Sequence, residues 1–551
     1  MKILIVSITS QYIHSSLACW YLYSAVKNQN LEDTDIKVIE GTVNESVDIL
    51  YERIANENAD VVCFSCYIWN ITCVLSLAEK IKTTGVKTVL GGPEVSYNAE
   101  NILNDNCFID YVISGEGEKP LVALVESFIN SGSLSVDGIF YRSSSKVVSS
   151  VPFVTDEIPI SPYCDEYFKT LNGRISYIET SRGCPFSCAF CLSGRCAGVR
   201  YFPIERAKEE IIQLSHSSSK IIKFVDRTFN ANRRRAYELW KFIIDNYGTA
   251  INGDVCFHFE IAGDLLTEAD FELLKDAPKG AIQFEIGMQS FNAKTLTAIN
   301  RKTNVAKLKE NIKKLVILNN IHTHIDLIAG LPYEDYKTFR NSFNTAFYLN
   351  ADMLQLGFLK LLHGADMREN TEAYPCEFSD TPPYEVKSTP WLDEKQLELL
   401  HFCENALERF VNSGRFPLTV KYIFEEQKRN PFDTLTELGR FTGSTSCSLN
   451  EYVDKINWFF GQGSDNRVLR DILLCDVASS VKSTTLPSSL IVKDKNLRRL
   501  KRLLESDETT KKKSGIMRNI FILYSEKCGA YVDYDTKADG KYRINKIPFE
   551  F

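Results

Sequence analysis

Three cysteines within eight residues are the first chemistry this sequence offers. Cys184, Cys188 and Cys191 are spaced C-x3-C-x2-C in the stretch Glu179-Thr-Ser-Arg-Gly-Cys-Pro-Phe-Ser-Cys-Ala-Phe-Cys-Leu192. An apolar run at 175–178 precedes them and reads as a strand. A strand that runs into a loop of clustered thiols is a ligand loop at the mouth of an α/β layer. Three thiolates can hold three irons of a four-iron, four-sulfur cluster and leave the fourth iron open to a substrate. Gly183 and Pro185 bend the loop so that the thiols converge, and Phe190 can cover the cluster with its ring. The competing chemistry is a zinc knuckle with Cys196 as fourth ligand, although zinc sites usually show two paired C-x2-4-C or H-x3-5-H units.

The stretch resembles the cluster loop of the radical S-adenosylmethionine superfamily, including the aromatic residue before the third cysteine. The resemblance implies that Cys184, Cys188 and Cys191 are the metal ligands of a 4Fe–4S cluster. It implies that the open iron chelates the amino and carboxylate groups of S-adenosylmethionine. Reduction then splits the sulfonium to give a 5′-deoxyadenosyl radical, with reduced flavodoxin or ferredoxin as the electron donor.

The elements around the loop keep a βα rhythm. Strands read at 175–179, 221–226, 255–260, 281–286, 323–328 and 353–358, with amphipathic helices at 204–215, 233–247, 267–275, 293–299 and 305–318. Six such units fit the partial (β/α)6 barrel that the resemblance implies, and polar residues at the strand ends then point into its mouth. Those residues are Asp226, Arg227, His258, Glu260, Glu285, Gln289, Arg301 and Asp326. A carboxylate or amide there can bind ribose hydroxyls or an ammonium group, and an arginine can clamp a carboxylate. Asp226, Glu285, Gln289, Arg301, Asp326 and Phe190 are therefore the cofactor-binding candidates of the barrel, and His258 and Glu260 its catalytic candidates. Phe257, Phe259 and the run 360–364 are further substrate-facing candidates. A salt bridge or a strand-end cap is the plain alternative for each residue.

Ahead of the loop, strands read at 3–8, 36–39, 61–65, 88–90 and 111–113, alternating with helices at 17–27, 47–55, 71–82 and 120–128. That order predicts a doubly wound parallel sheet with ligands beyond the carboxyl ends of its strands. The loops at that edge carry Tyr67 and Trp69, Gly91 and Gly92, and Gly115-Glu-Gly-Glu118. The glycines let the backbone approach a large planar ligand, and the two aromatic rings can pack on it. Set directly before a radical cluster loop, this pattern resembles the cobalamin-binding radical enzymes, whose amino-terminal domain ends in a G-E-G-E stretch of this kind. The resemblance makes Tyr67, Trp69, Gly91, Gly92, Gly115 and Glu116 cofactor-binding candidates, with cobalamin as the cofactor. The family's D-x-H-x-x-G motif is missing: His14 has Tyr12 two residues before it and Leu17 three after. A loop imidazole hydrogen-bonded to backbone is the plain reading of His14, and cobalamin then binds without a protein imidazole beneath it.

Length and composition bound the rest. At 551 residues, with 44% hydrophobic and 25% charged content, the chain has the make-up of an ordinary soluble protein of several domains. Sixteen scattered cysteines fit buried thiols of a reduced cytoplasm better than a disulfide framework. No signal peptide or membrane-length apolar run is seen. A net charge of −7 argues against nucleic acid as the partner and leaves a small molecule as the expected substrate. The anticipated domains are a cobalamin-binding-like sheet at 1–135, a connecting hairpin and linker at 136–170, the barrel at 171–382, and a mostly helical module with a small β meander at 383–551. The helices of that module read at 393–413, 420–429, 450–459 and 465–477. A basic strip at 493–502, followed by the 511–513 lysines, is either an RNA contact or the solvated face of a helix whose apolar stripe is Leu497, Leu500, Leu503 and Leu504. The expected activity is methylation of an unactivated carbon. Radical oxidation or cyclisation like that of anaerobic porphyrin cyclases, tRNA modification, and a non-catalytic cobalamin or redox sensor are the alternatives.

Overall fold

The structure is a computed structural model. It describes residues 1–551 apart from positions 131, 133, 135, 144, 145, 196, 197, 444, 446, 463–465, 483–485, 507–518, 539, 549 and 551. Cys196 and the 511–513 lysines thus lie outside the described residues. The chain divides into two compact units, Met1–Asp335 with Leu349–Asp352 and Phe358–Asp393, and Tyr336–Tyr348 with Met353–Gly357 and Glu394–Phe551.

The first unit begins with five parallel strands, β1 Lys2–Thr9, β2 Asp35–Thr42, β3 Val61–Ser65, β4 Lys87–Gly91 and β5 Tyr111–Ile113. Strand β1 is buried from Ile3 on both faces, as its apolar run requires when helices cover both sides of a sheet. The crossover helices are Ala18–Lys27, Val47–Ala55 and Ile71–Lys82, and Glu118–Asn130 follows β5. The hairpin anticipated after them forms as β6 Ile139–Ser143 and β7 Lys146–Val148. It adds two antiparallel strands to the same sheet, whose order is β2-β1-β3-β4-β5-β6-β7.

A second parallel sheet follows, from β8 Ser176–Ile178. The pair β9 Ser181–Gly183 and β10 Val199–Tyr201 forms a separate antiparallel ribbon, and the thiol loop runs between its two strands. The sheet continues with β11 Ile221–Phe224, β12 Cys256–Ile261, β13 Ile282–Gln289 and β14 His322–Ala329, each parallel to the one before. A sixth strand, β15, spans Met353–Phe358.

Alternation along these strands sorts the residues. On β13, Ile282, Phe284, Ile286 and Met288 are buried, while Gln283, Glu285, Gly287 and Gln289 lie on the other face. Phe224, Phe229, Phe259 and Phe284 gather around Trp240 of the helix Arg233–Asn246, with Phe224 stacked on Phe259 at 4.4 Å between ring centres. Phe257 and Phe259 therefore belong to the outer, helix-covered layer, where each has no exposed surface. That corrects their reading as substrate-facing residues. Period two puts them on the face opposite His258.

The second unit is mostly helical and closes on three antiparallel strands, Ile520–Leu523, Cys528–Ala538 and Lys541–Pro548. The helix expected over 393–413 is α-helical only over Glu394–Ala406 and widens to a π-helix at Leu407–Asn412. The one expected at 420–429 ends at Glu426, and Lys428 adopts a left-handed φ of 55°. The basic helix Lys495–Ser506 buries Leu497, Leu500 and Leu504 against Ile520 and Ile522. Leu503, expected in that stripe, is 49% exposed, and Arg498, Arg499 and Arg502 are exposed too.

Candidate active site

The thiol loop hangs from the β9–β10 ribbon. Gly183 closes that ribbon at φ 96°, where a Cβ would meet the Gly198 carbonyl oxygen at 2.3 Å, so only glycine fits. Asp226, just past β11, fixes the entry to the ribbon. Its Oδ2 accepts from the Thr180 amide at 2.9 Å, and its Oδ1 accepts from Thr180 Oγ1 at 2.8 Å and Ser181 Oγ at 2.5 Å. With 2% of its surface exposed, Asp226 is used up within the chain. The residue expected to contact a cofactor instead braces the strand that carries the thiols.

Each of the three sulfurs has a polar neighbour. Arg301 Nη1 donates to Cys188 Sγ at 3.7 Å, and the Ser193 amide donates to Cys191 Sγ at 3.4 Å. Cys184 Sγ lies 3.5 Å from Thr228 Oγ1. Burial pushes the Cys188 thiol up, and the Arg301 guanidinium opposes that rise. Hydrogen-bond donors such as those at Cys188 and Cys191 are what cluster-bound thiolates use. Among the described residues no three Cys, His, Asp or Glu side chains converge on one point as a single metal ion needs. A cluster presents a separate iron to each thiolate, and this donor set fits it. Phe190 is half-buried in the same loop.

Arg301 also donates through Nη2 to the Gly287 carbonyl at 2.6 Å, while its Nε is buried without a partner. An orphaned buried donor costs about 1–3 kcal/mol unless a ligand fills it, and a carboxylate such as that of S-adenosylmethionine fits. Gln289 sits beside it at φ 68°, in left-handed backbone at the bulge between β13 and β14. Such backbone strain collects at ligand sites.

Across the inner face of the barrel runs a row of charge. Register sets Lys223 beside His258, and Glu260 beside Glu285 beside His324. His258 Nε2 donates to Glu285 Oε2 at 2.7 Å, and Lys223 Nζ donates to the same oxygen at 3.0 Å. Burial alone would raise Glu285, but the His258 and Lys223 contacts overcome it and hold the carboxyl down to about 2. Burial lowers His258, so its imidazole is neutral and donates its Nε2–H to an anionic Glu285. Burial raises Glu260, whose Lys223 contact is 3.8 Å, too long for a hydrogen bond. His324 Nε2 is 2.9 Å from Asp326 Oδ1, in a contact too poorly aligned to count as a hydrogen bond for either atom. Burial raises Asp326. Lys223 and His324 were not legible as site residues, because a single Lys or His in an apolar strand has no motif around it. Of the 360–364 run, Leu361 is fully buried and His363 packs edge-on to Tyr384.

A cavity of about 480 Å³ lies between the carboxyl edge of the first sheet and the thiol loop. Tyr67, Gly91, Gly92, Gly115 and Glu116 line it on one hand, and Gly183, Leu192, Ser193 and, just past β11, Arg227 on the other. Trp69 stands outside the lining, 47% exposed and stacked flat on Tyr67 at 4.4 Å. The rim glycines serve the protein's own backbone. A Cβ on Gly115 would meet the Phe153 carbonyl oxygen at 2.2 Å, and one on Gly92 would meet that of Cys66 at 2.5 Å. Gly92 and Gly115 thus permit strand-to-loop contacts that shape the rim, and both, with Gly91, line the cavity. His14 also departs from expectation: its Nδ1 lies 2.7 Å from the Tyr177 hydroxyl, a side-chain partner where a backbone one was expected.

Sequence reading missed the ion cluster on the cavity wall. Arg182 donates to Glu116 at 2.9 Å, to Glu118 at 2.6 Å and to Glu179 at 3.0 Å, and Arg200 also binds Glu116. Burial pushes Glu179 up to about 7 against the pull of Arg182.

Fold and site together define a class: a doubly wound ligand-binding sheet set against a partial barrel whose mouth holds a three-thiol loop. Comparison with known families gives that class its name. Residues 3–125 match the B12 binding domain, residues 178–346 the Radical SAM superfamily, and residues 372–522 a protein family of unknown function, DUF4080. The chain is a cobalamin-binding-domain radical SAM protein with an additional carboxyl-terminal domain. Those domains imply a 4Fe–4S cluster, S-adenosylmethionine and cobalamin.

Among curated relatives, the 2-(S-pantetheinyl)-carbapenam-3-carboxylate methyltransferase of Streptantibioticus cattleyicolor is 29% identical over 313 residues, 51% of this chain and 44% of that protein. The cobalamin-dependent radical SAM methyltransferase TokK of Streptomyces tokunonensis is 26% identical over 401 residues, 66% of this chain and 56% of its own. An anaerobic magnesium-protoporphyrin IX monomethyl ester cyclase of Cereibacter sphaeroides is 25% identical over 361 residues, 60% of this chain and 56% of its own. The matches thus span about half the length of these relatives. In fold, the chain resembles the cobalamin-dependent S-adenosylmethionine radical enzyme OxsB, with a TM-score of 0.60 over 93% of this chain and 81% of that one at 14% identity. It also resembles the methyltransferase TsrM of Kitasatospora setae, with a TM-score of 0.56 over 70% and 80% at 16% identity. No described helix is long and apolar enough to cross a membrane.

Proposed function

We propose that the chain is a radical SAM enzyme that methylates an unactivated carbon of a small-molecule substrate. The observation that carries the reading is one cavity bounded by the sheet's glycine-rich rim and by the loop of three thiols, each with a polar neighbour. When bound there, the cluster supplies the electron that splits S-adenosylmethionine, and cobalamin supplies a transferable methyl group. The protein's own residues place these partners. Cys184, Cys188 and Cys191 hold the cluster, and the free Nε of Arg301 takes the carboxylate of the methionine moiety, with Gln289 beside it. Tyr67, Trp69 and the rim loops shape the cobalamin side. On the inner face, the anionic Glu285 and neutral His258 keep a fixed hydrogen-bond direction, and Glu260 is the polar group left to orient a substrate. Methylation is favoured over cyclisation because methyltransferases match at 29% identity and over up to 66% of the chain, against 25% identity and 60% for the cyclase. Reduced flavodoxin or ferredoxin is the proposed electron donor.

Anaerobic reconstitution tests the reading, with iron, sulfide and cobalamin assayed together and methyl transfer followed from labelled S-adenosylmethionine. Replacing Cys184, Cys188 or Cys191 by Ala is expected to abolish the iron chromophore and cofactor cleavage, while Cys196→Ala keeps both. Equal metal loss in Cys196→Ala and Cys188→Ala would instead favour a four-thiolate site.

A further inference from the structure

The ribbon that carries the thiol loop has two arginines, of which the neighbouring Glu179 pairs with Arg182 and not with Arg200. Arg182 and Arg200 are direct partners across β9 and β10, so two guanidinium groups face one another at the neck of the loop 184–198. Like charges directly opposite each other in a two-stranded ribbon push it apart. One carboxylate from the first sheet lies between them. Glu116 Oε2 accepts from Arg182 Nη1 at 2.9 Å and from Arg200 Nη1 at 3.2 Å, and its Oε1 accepts from Arg200 Nη2. The glutamate side chain is 13% exposed, which makes these charge-assisted bonds strong.

We infer that Glu116 is a positioning residue for the three-thiol loop: it holds shut the neck from which that loop hangs. The inference rests on the reading of the three cysteines as cluster ligands. Arg182 keeps Glu118 and Glu179 when Glu116 is removed. Arg200 has no other carboxylate partner among the described residues, so its charge then faces Arg182 unbalanced. The neck has only three residue pairs, Ser181 with Tyr201, Arg182 with Arg200 and Gly183 with Val199. Opening the central pair frees the loop ends and spreads the sulfurs. A residue of the cobalamin-side sheet thereby sets the geometry of the iron site.

The test is a cycle of Glu116→Gln, Arg200→Gln and the double variant in the full chain. In the metal-free protein, Glu116→Gln is expected to speed amide exchange of 199–201 about tenfold or more, the scale of one lost charge-assisted bond. Arg200→Gln in the same background removes the repulsion and is expected to restore much of the protection. After reconstitution, Glu116→Gln is expected to lose iron on gel filtration and to shift the electron paramagnetic resonance spectrum of the reduced cluster, with the double variant closer to wild type. Unchanged exchange at 199–201, or a double variant as impaired as Glu116→Gln, would overturn the inference. So would a large loss of cobalamin affinity with exchange and iron retention intact, which would make Glu116 a corrin contact. If wild type itself takes up no cluster, the reading of the cysteines fails, and the metal-free exchange data still decide the role at the neck.

Discussion

Glu285→Gln is the sharpest probe of the charged row inside the barrel. The wild-type carboxyl is held down from an ordinary value of 4.5 to about 2 by His258 and Lys223. At about 1.4 kcal/mol for each pH unit, that displacement is worth roughly 3 kcal/mol of stability. Because the folded value is depressed, the contribution is fully present above pH 4.5 and is lost as pH falls toward 2. Glutamine keeps an acceptor for the His258 Nε2–H but carries no charge for Lys223 and does not titrate. The variant is therefore expected to open β13 more easily than wild type by about 3 kcal/mol near neutral pH, by the same amount at about pH 5, and by clearly less at about pH 3. Native-state hydrogen exchange of the β13 amides reads this locally, which suits a chain of two units where a single unfolding transition is not assured. A difference below about 1 kcal/mol at neutral pH, or one that does not shrink in acid, would refute the claim that the charge of Glu285 stabilises the strand.

Two further outcomes are expected. Arg301→Met removes the unpaired Nε and the donor to Cys188, and is expected to weaken S-adenosylmethionine binding about ten- to a hundredfold in calorimetric titration of the reconstituted protein. Replacing Arg498, Arg499 and Lys501 by Gln is expected to leave turnover nearly unchanged. Co-purifying RNA that is lost at moderate salt and lost again in that variant would instead show a phosphate-binding strip.

What the sequence made legible follows from how far apart the cooperating residues lie. The thiol loop is local, and its three cysteines announce themselves. The strands of both sheets are continuous apolar or period-two runs, and they fall within a few residues of their expected places. The neck was illegible, because two of its three carboxylates, Glu116 and Glu118, lie 64 to 84 positions away from the arginines they bind. Asp226 was recognisable as a polar strand end, but only the fold shows its oxygens occupied by Thr180 and Ser181. Gly115 was legible as a close-approach glycine at the rim, but only the fold shows that the Phe153 backbone is one of the groups it lets near.

The two-faced strands of the barrel have a consequence for how such a site can diverge. The aromatic layer of Phe224, Phe259, Phe284 and Trp240 lies entirely on one side, and the charged row of Lys223, His258, Glu260 and Glu285 lies on the other. Exchanging Lys223, His258 or Glu260 leaves every ring contact of the outer layer in place. Mutation at Glu260 can thus vary the inward face while the aromatic layer is inherited unchanged, whereas Lys223 and His258 are bound to Glu285 and to the strand it stabilises.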